Sequence, residues 1–258
     1  MDLWTAIILG IIEGVTEFLP ISSTGHMILA SDLMGLEHTE FLKSFEIAIQ
    51  VGAISSVVFL YWRLLLVDFE VIKRVVVAFL PTGILGLTLY RVVKSYLLGS
   101  AAVVLWSLFL GGLFLIAFEY WHREKDDAAG EIRQMTYKTA LIIGLFQSVA
   151  MVPGVSRSAS TIIGGLILGL KRKTIVEFSF LLAVPTMLAA TVYDLMKSAP
   201  DMTLGQVDLL VAGFVTAFIV ALLSIKFLLR FIQTHTFIPF GVYRIILVAV
   251  LLIHLKMA

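Results

Sequence analysis

Residues 13–26 read EGVTEFLPISSTGH and include the junction between two short apolar segments, 5–18 and 23–35. The junction is a break at Pro20 and the serines after it. Each segment has about 14 residues, or ~21 Å as a helix. That length falls short of the ~30 Å hydrocarbon core of a bilayer. The pair is therefore predicted to form a re-entrant helical hairpin whose broken tip is buried in protein.

A second pair of short apolar segments, 139–152 and 157–170, is broken at residues 153–161, which read PGVSRSAST. A shift of 134 positions aligns the two pairs without a gap, and Glu13 then falls on Gln147. Identical residues align at Thr5/Thr139, Ala6/Ala140, Ile8/Ile142, Gly10/Gly144, Val15/Val149, Ser22/Ser156, Ile28/Ile162, Gly35/Gly169 and Leu36/Leu170. The second pair is predicted to be a copy of the first hairpin.

The rest of the chain is dominated by longer apolar runs. Hydrophobic residues make up 60% of the 258 and charged residues 14%, against roughly 25% charged in soluble domains. Six runs are long enough to cross a bilayer, near 44–62, 75–92, 99–121, 175–196, 207–230 and 237–255. We therefore predict an all-α integral membrane protein with six transmembrane helices and two re-entrant hairpins. Its two halves are 1–121 and 139–258, joined by a linker at 122–138.

The order of these segments predicts an inverted repeat. A hairpin returns to the side it enters from, and three spans separate the two hairpins, so the second enters from the opposite face and the tips can meet near the midplane. Lys and Arg orient the chain, because they are enriched in cytoplasmic loops. The side assigned to the cytoplasm has twelve, Arg63, Lys73, Arg74, Arg123, Lys125, Arg133, Lys138, Lys171, Arg172, Lys173, Lys226 and Arg230, and the other has five, Lys43, Arg91, Lys94, Lys197 and Lys256. Both termini and the opening of the first hairpin are then expected to face outward.

The first hairpin carries a pair of carboxylates. Glu13 and Glu17 are four residues apart and share one helix face. Ionisable groups at membrane depth are costly and usually functional. We expect the pair to do acid–base work or to bind Mg²⁺ or Ca²⁺, which would bridge the carboxylates to phosphate oxygens. The alternative is a structural pair neutralised by protonation or by a buried Arg.

Hydroxyls and an imidazole follow the break, at Ser22, Ser23, Thr24 and His26. Serines at a helix start are ordinary N-caps, and a lone His on an apolar face is often a core residue. Here the cluster is larger than a cap requires. It lies where a helix N-terminus favours anions, so we expect His26 to act in catalysis or ligand binding.

The second break has the features of an anion site. Pro153 and Gly154 make a turn, and free amides then open a helix. Arg157 adds a planar fork that matches phosphate oxygens. Ser156, Ser158 and Thr161 add hydroxyls, although these could also be caps, with Arg157 paired to Glu13 or Glu17. Gln50, on the first span, is expected to reach the same pocket.

The residues 13–26 and the run PGVSRS at 153–158 with Thr161 resemble the two signatures of the BacA-type undecaprenyl-diphosphate phosphatases. FE at 45–46, IQVGA at 49–53, EFSFLLAVP at 177–185 and FIPF at 237–240 resemble that family too, so the likeness covers essentially the whole chain. It implies six spans with two inverted re-entrant hairpins. It also implies a site open to the periplasm in a bacterial plasma membrane, and a role in bacitracin resistance.

The resemblance also implies roles for residues. Glu13 and Glu17 would work with His26 and a divalent cation on a polyprenyl diphosphate, with Ser23 as nucleophile. Arg157, Ser156 and Thr161 would clamp the diphosphate. Three attackers remain open: Ser23, His26, or a water activated by Glu17 or His26. Because His26 lies about one turn after Ser23, we favour attack by Ser23 with His26 as its base or orienter, and Glu17 positioning His26 or the metal.

Other classes of function fit less well. A secondary transporter or lipid flippase shares the broken helices but does not need this set of catalytic groups. A lipid phosphatase with an S-R-x5-H signature would need His where Ile163 stands. A purely structural protein leaves the intramembrane Glu, His and Arg unexplained. The net charge of +1 gives no reason to expect nucleic acid, and the lack of Cys excludes thiolate chemistry. Membrane lipids are expected around the protein, and a homodimer is one option for its assembly.

Overall fold

The computed structural model describes residues 1–37, 39–92, 100–124, 128–197 and 206–257. Lys94 and Lys125, which entered the charge count, lie outside these residues. Every named element is helical: α1 Leu3–Thr16, α2 Ser23–Leu33, α3 Glu40–Leu66, α4 Phe69–Val92, α5 Ala101–Trp121, α6 Tyr137–Val149, α7 Arg157–Ile167, α8 Arg172–Lys197, α9 Val207–Phe231 and α10 Ile238–Met257, with a short 3-10 turn at Ile132–Gln134.

Within the described parts of the chain, five helices are long and apolar enough to cross a membrane, namely α3, α4, α5, α8 and α9. They correspond to five of the six predicted spans, with ends that differ by a few residues. In the part of the chain that the structure describes, the apolar helix within α10 is shorter and covers Ile238–Ile253. The prediction of an all-α membrane protein is confirmed at this level.

The four short helices fall where the two hairpins were predicted. Ser22 and Ser156, which align in the repeat, precede α2 and α7 with φ of 68° and 78°, a region that non-glycine residues rarely adopt. At the other ends of α2 and α7, Gly35 and Gly169 have φ of 62° and 82°. Both ends close with the backbone bond pattern of a Schellman motif, which requires this conformation. The two segments thus share their backbone conformation at both ends.

Each hairpin packs on a helix from the other half of the chain, since α1 lies against α9 and α6 against α4. Gly10 makes the first contact close, because a Cβ there would lie 2.8 Å from the carbonyl oxygen of Gly213. Gly144, its counterpart, lies against the backbone of Ala78 in the same way. Small residues allow such close approach between helices in a membrane. The helix that carries Glu13 and Glu17 is thereby held against the second half.

Polar contacts fix the end of the molecule that carries the predicted linker. Arg172 of α8 donates to both carboxylate oxygens of Glu119 on α5, and the backbone N–H of Phe237 donates to the same carboxylate at 3.0 Å. Arg74 of α4 donates to the carbonyl of Met135 at 2.6 Å. The described part of the segment 122–138 is therefore packed against the helices.

Candidate active site

The two breaks meet inside the protein. The hydroxyl of Ser158, in the first turn of α7, donates to the carbonyl of Leu19 in the first break at 2.9 Å. The guanidinium of Arg157 lies over the ring of Phe18, 5.9 Å from its centroid. Since α2 begins at Ser23 and α7 at Arg157, these contacts bring the N-terminal ends of two helices together. Free amides and helix dipoles at such starts favour an anion.

Glu17 lies at the centre of this arrangement. Its Oε2 accepts a hydrogen bond from the Ser23 hydroxyl at 2.7 Å, and its Oε1 lies 3.3 Å from Nη2 of Arg157. The side chains of Glu17 and Arg157 are only 7% and 12% exposed. One buried carboxylate therefore contacts both the predicted nucleophile and the predicted phosphate-binding residue.

Arg157 is held from its other side by Ser179 on α8. Its Nη1 donates to the Ser179 carbonyl at 2.8 Å, and the hydroxyls of Ser179 and Thr161 are 2.6 Å apart. The Nε of Arg157 is buried without a hydrogen-bond partner among the described residues. Ser179 was missed as a site residue, although it lies within the run EFSFLLAVP that supported the family resemblance. Arg157 is thus oriented and keeps one donor to spare.

His26 was expected to be the base or the orienter of Ser23, and among the described hydrogen bonds it binds other groups while the Ser23 hydroxyl binds Glu17. Its Nδ1 is 2.8 Å from the Ser22 carbonyl, and its Nε2 is 2.8 Å from the Tyr243 hydroxyl of α10. Because a carbonyl can only accept, Nδ1 carries a proton. The reason is the direction of the ring: from the second turn of α2 it faces back to its own N-cap. Tyr243 was not found from the sequence.

Arg244 is fully buried and binds backbone carbonyls. Its guanidinium donates to Gly154 at 2.7 Å and to Val155 at 3.1 Å, both in the second break. It also donates to Ser107 and Leu108 of α5 at 3.0 and 3.2 Å. Arg244 therefore has a structural role, and what it holds is the turn that precedes Arg157.

Glu13 is buried on the same helix as Glu17, 4% exposed, and its Oε1 has no hydrogen-bond partner in the part of the chain described. Glu17 and Glu46 both lie within electrostatic range of it. Among the described residues no three His, Cys, Asp or Glu side chains are grouped closely enough to hold a metal ion by themselves. Two carboxylates with an unsatisfied buried oxygen nevertheless fit Mg²⁺, which commonly takes one or two carboxylates and completes its shell with phosphate and water.

The remaining predicted residues differ in whether their side chains join the hydrogen bonds of the site. The hydroxyls of Ser156 and Ser158 are 3.1 Å apart, and Ser156 also caps α7 by accepting from the N–H of Ala159 at 3.3 Å. Thr24 is exposed and Gln50 is half-buried on α3. Over the described ranges, neither of these two side chains takes part in the hydrogen-bond network of the site.

The fold and the site define an all-α membrane protein with a buried carboxylate–serine–arginine cluster at two helix N-termini. The chain belongs to the family described as bacitracin resistance protein BacA, whose family model matches residues 6–250. The resemblance seen in the two motifs is confirmed.

Curated relatives match over nearly their whole length, and each is named undecaprenyl-diphosphatase. The protein of Aquifex aeolicus (strain VF5) is 51% identical over 247 residues, 96% of each chain. That of Sulfurihydrogenibium sp. (strain YO3AOP1) is 55% identical over 242 residues, 94% of this chain and 95% of the relative. That of Wolinella succinogenes is 48% identical over 257 residues, 100% of both chains.

Substituting Arg244 tests its role in holding the second break. Arg244→Lys keeps the charge but cannot reach four carbonyls, so buried acceptors lose their donors at about 1–3 kcal/mol each. We expect a clearly lower temperature of unfolding in detergent. Arg230→Lys, an exposed replacement near the end of α9, is the matched control and should leave that temperature unchanged. Equal thermal stability of the two variants would contradict this role.

Proposed function

We propose that this chain removes the terminal phosphate from undecaprenyl diphosphate. The products are undecaprenyl phosphate, the lipid carrier reused in peptidoglycan synthesis, and inorganic phosphate. Membership of the family, the name shared by its relatives and the membrane helices support this activity. The observation that carries it is the contact of Glu17 with both Ser23 and Arg157. The description of the family as bacitracin resistance proteins adds that role to the proposal.

The first step is attack by Ser23. Its hydroxyl proton passes to Oε2 of Glu17 while Oγ forms a bond to the terminal phosphorus of the diphosphate. The bond from that phosphorus to the bridging oxygen breaks, and its electron pair leaves with undecaprenyl phosphate. In the second step the oxygen of a water molecule attacks the phosphorus of the phosphoserine, and the bond from that phosphorus to Oγ breaks. Oγ recovers its proton from Glu17, and phosphate departs as dihydrogen phosphate with both protons of the water.

Arg157 and the helix starts stabilise the charge that develops on the phosphoryl group. Donors already oriented in a site shielded from water are worth more than the same donors in water. Ser179 and Thr161 keep the guanidinium in place, and its spare Nε–H is available to a phosphate oxygen. His26 acts through Ser22, whose carbonyl it binds, so its role is to position the residue next to the nucleophile.

A divalent cation would be held by Glu13 and Glu17 together with the diphosphate oxygens. When bound, it would supply positive charge that neutralises the carboxylates and the substrate. The unsatisfied Oε1 of Glu13 supports this assignment.

The finer architecture proposed is six spans and two inverted hairpins, with α10 as the sixth span and the site open to the periplasm. The matching conformations at Ser22 and Ser156 and the reciprocal packing of the hairpins support it.

Because the chain has no Cys, single cysteines can report which side each segment faces. Asp2→Cys and Ala258→Cys should react with an impermeant maleimide on intact cells, and Glu131→Cys in the linker should react only after lysis. Labelling of Glu131→Cys alone in intact cells would overturn the proposed orientation.

Purified protein in detergent tests the activity and the cation together. We expect phosphate release from undecaprenyl diphosphate without any ion gradient, as an enzyme but not a transporter requires. EDTA should abolish the release, and Mg²⁺ or Ca²⁺ should restore it. Turnover that survives exhaustive chelation would remove the cation from the proposal but leave the phosphatase intact, whereas binding of lipid without phosphate release would favour a flippase.

Trapping the covalent intermediate tests Ser23 as the nucleophile. A reaction quenched with labelled terminal phosphate should yield protein-bound label that survives acid and is lost in alkali, as phosphoserine is. Ser23→Ala should abolish it, Glu17→Gln should slow turnover by about 10²–10⁴-fold through loss of the base, and Ser224→Ala on α9 should behave as wild type. Label stable to alkali would identify His26, and its absence with sustained turnover in Ser23→Ala would mean direct attack by water.

A further inference from the structure

A cavity of about 550 Å³ lies between α4, α6 and α8. Apolar side chains line most of it, among them Leu80, Ile84 and Leu87 of α4 and Met151 after α6. Arg157 also lines it. On α8 the lining runs from Thr186 to Tyr193, away from the point where Arg157 binds Ser179. Arg157 is therefore at one end of the cavity, and the apolar lining extends away from it.

In the inverted repeat, α9, α1 and α3 correspond to α4, α6 and α8, and the space between them is filled. There α3 lies directly on α9: a Cβ on Gly52, the counterpart of Thr186 in the 134-residue shift, would collide with the backbone of Phe214. A Cβ on Gly213 would likewise collide with the ring of Phe45. The two halves have the same order of helices, but their helices pack differently at this place. The cavity is therefore a feature of one half and does not follow from the repeat.

The hairpin face under the cavity has lost its charge. In the same shift Glu13 aligns with Gln147 and Glu17 with Met151, and both replacements line the cavity. The Gln147 amide donates to Thr82 at 2.9 Å and to Thr186 at 3.0 Å. Positions that carry carboxylates beside the nucleophile thus carry a neutral amide and a flexible thioether in the second half. Such a surface suits an apolar ligand, and methionine adapts to irregular shapes.

We infer that this cavity binds the first isoprene units of the polyprenyl diphosphate while its diphosphate lies at Arg157. The inference rests on the proposed function and adds where the lipid chain runs. An anionic head at a buried guanidinium followed by an apolar chain matches the order of groups in the cavity. The volume of the cavity falls within the ~300–1,000 Å³ usual for small-molecule pockets, which is enough for only part of a long polyprenyl chain. The remainder of the chain extends between α4 and α8 into the bilayer.

Photolabelling locates the chain directly. The probe is farnesyl diphosphate with a diazirine in its second isoprene unit, added to the whole protein in detergent, with undecaprenyl diphosphate as competitor. We expect competed label on Ile84, Leu87 and Tyr193. Competed label on α3 and α9 instead, or no competed label on α4 and α8, would overturn the inference. Labelling does not need turnover, so it is read separately from the phosphatase assay.

Filling the cavity provides the matched kinetic test. A Cβ on Gly86 would meet only the Met151 methyl at 3.9 Å, which leaves room for a larger side chain directed at the cavity. Gly86→Trp should raise KM for undecaprenyl diphosphate about tenfold or more with kcat within about twofold, because apolar chain is no longer buried there. Leu89→Trp, at an exposed position of the same helix that is not among the lining residues of the cavity, should change neither. An unchanged KM in folded Gly86→Trp, or a loss in kcat alone, would contradict the inference; if that variant does not fold, the labelling decides.

Discussion

The ion pair between Glu17 and Arg157 joins two helix breaks that lie far apart in the sequence. A broken helix in a membrane leaves backbone groups that lipid cannot satisfy, so each break depends on protein contacts. The pair, together with the hydrogen bond from Ser158 to Leu19, supplies such contacts to both. Its charges are buried, and removing one partner of a buried pair typically costs about 3–5 kcal/mol. The same pair places the proposed base of Ser23 beside the Arg proposed to bind phosphate, so the fold and the proposed chemistry share one contact.

The two hairpins show how one backbone has been given two roles. Under the shift of 134 residues, Ser23 falls on Arg157, so the first residue of each short helix is the proposed nucleophile in one half and a cation in the other. Both are delivered to the same place because each hairpin packs on a helix of the other half. A symmetric site would present two serines or two arginines. In the proposed reaction, divergence at this single position provides a nucleophile and a counter-charge for the phosphoryl group from the same geometry.

Sequence reasoning located the four short helices and five of the long apolar helices because apolar length and polar breaks are local signals. It also brought Glu17, Ser23 and Arg157 together through the repeat. It did not find the hydrogen bond from Ser23 to Glu17, because a one-turn spacing says that Ser23 and His26 are neighbours but not which way the imidazole ring faces. Ser179 and Tyr243 were missed for a different reason. Their contacts are made across helices distant in the chain, and no local pattern encodes them.

The same backbone strain, at Ser22 and at Ser156, is held by different side chains in the two halves. A non-glycine residue at positive φ costs on the order of 1–3 kcal/mol and persists only where its surroundings fix it. In the first half His26 binds the carbonyl of Ser22, and Tyr243 binds His26 in turn. In the second half Ser156 caps its own helix, and Arg244 binds the carbonyls of Gly154 and Val155. Tyr243 and Arg244 are neighbours on α10, so one helix braces both strained serines and thereby fixes the first residues of α2 and α7, which carry the chemistry.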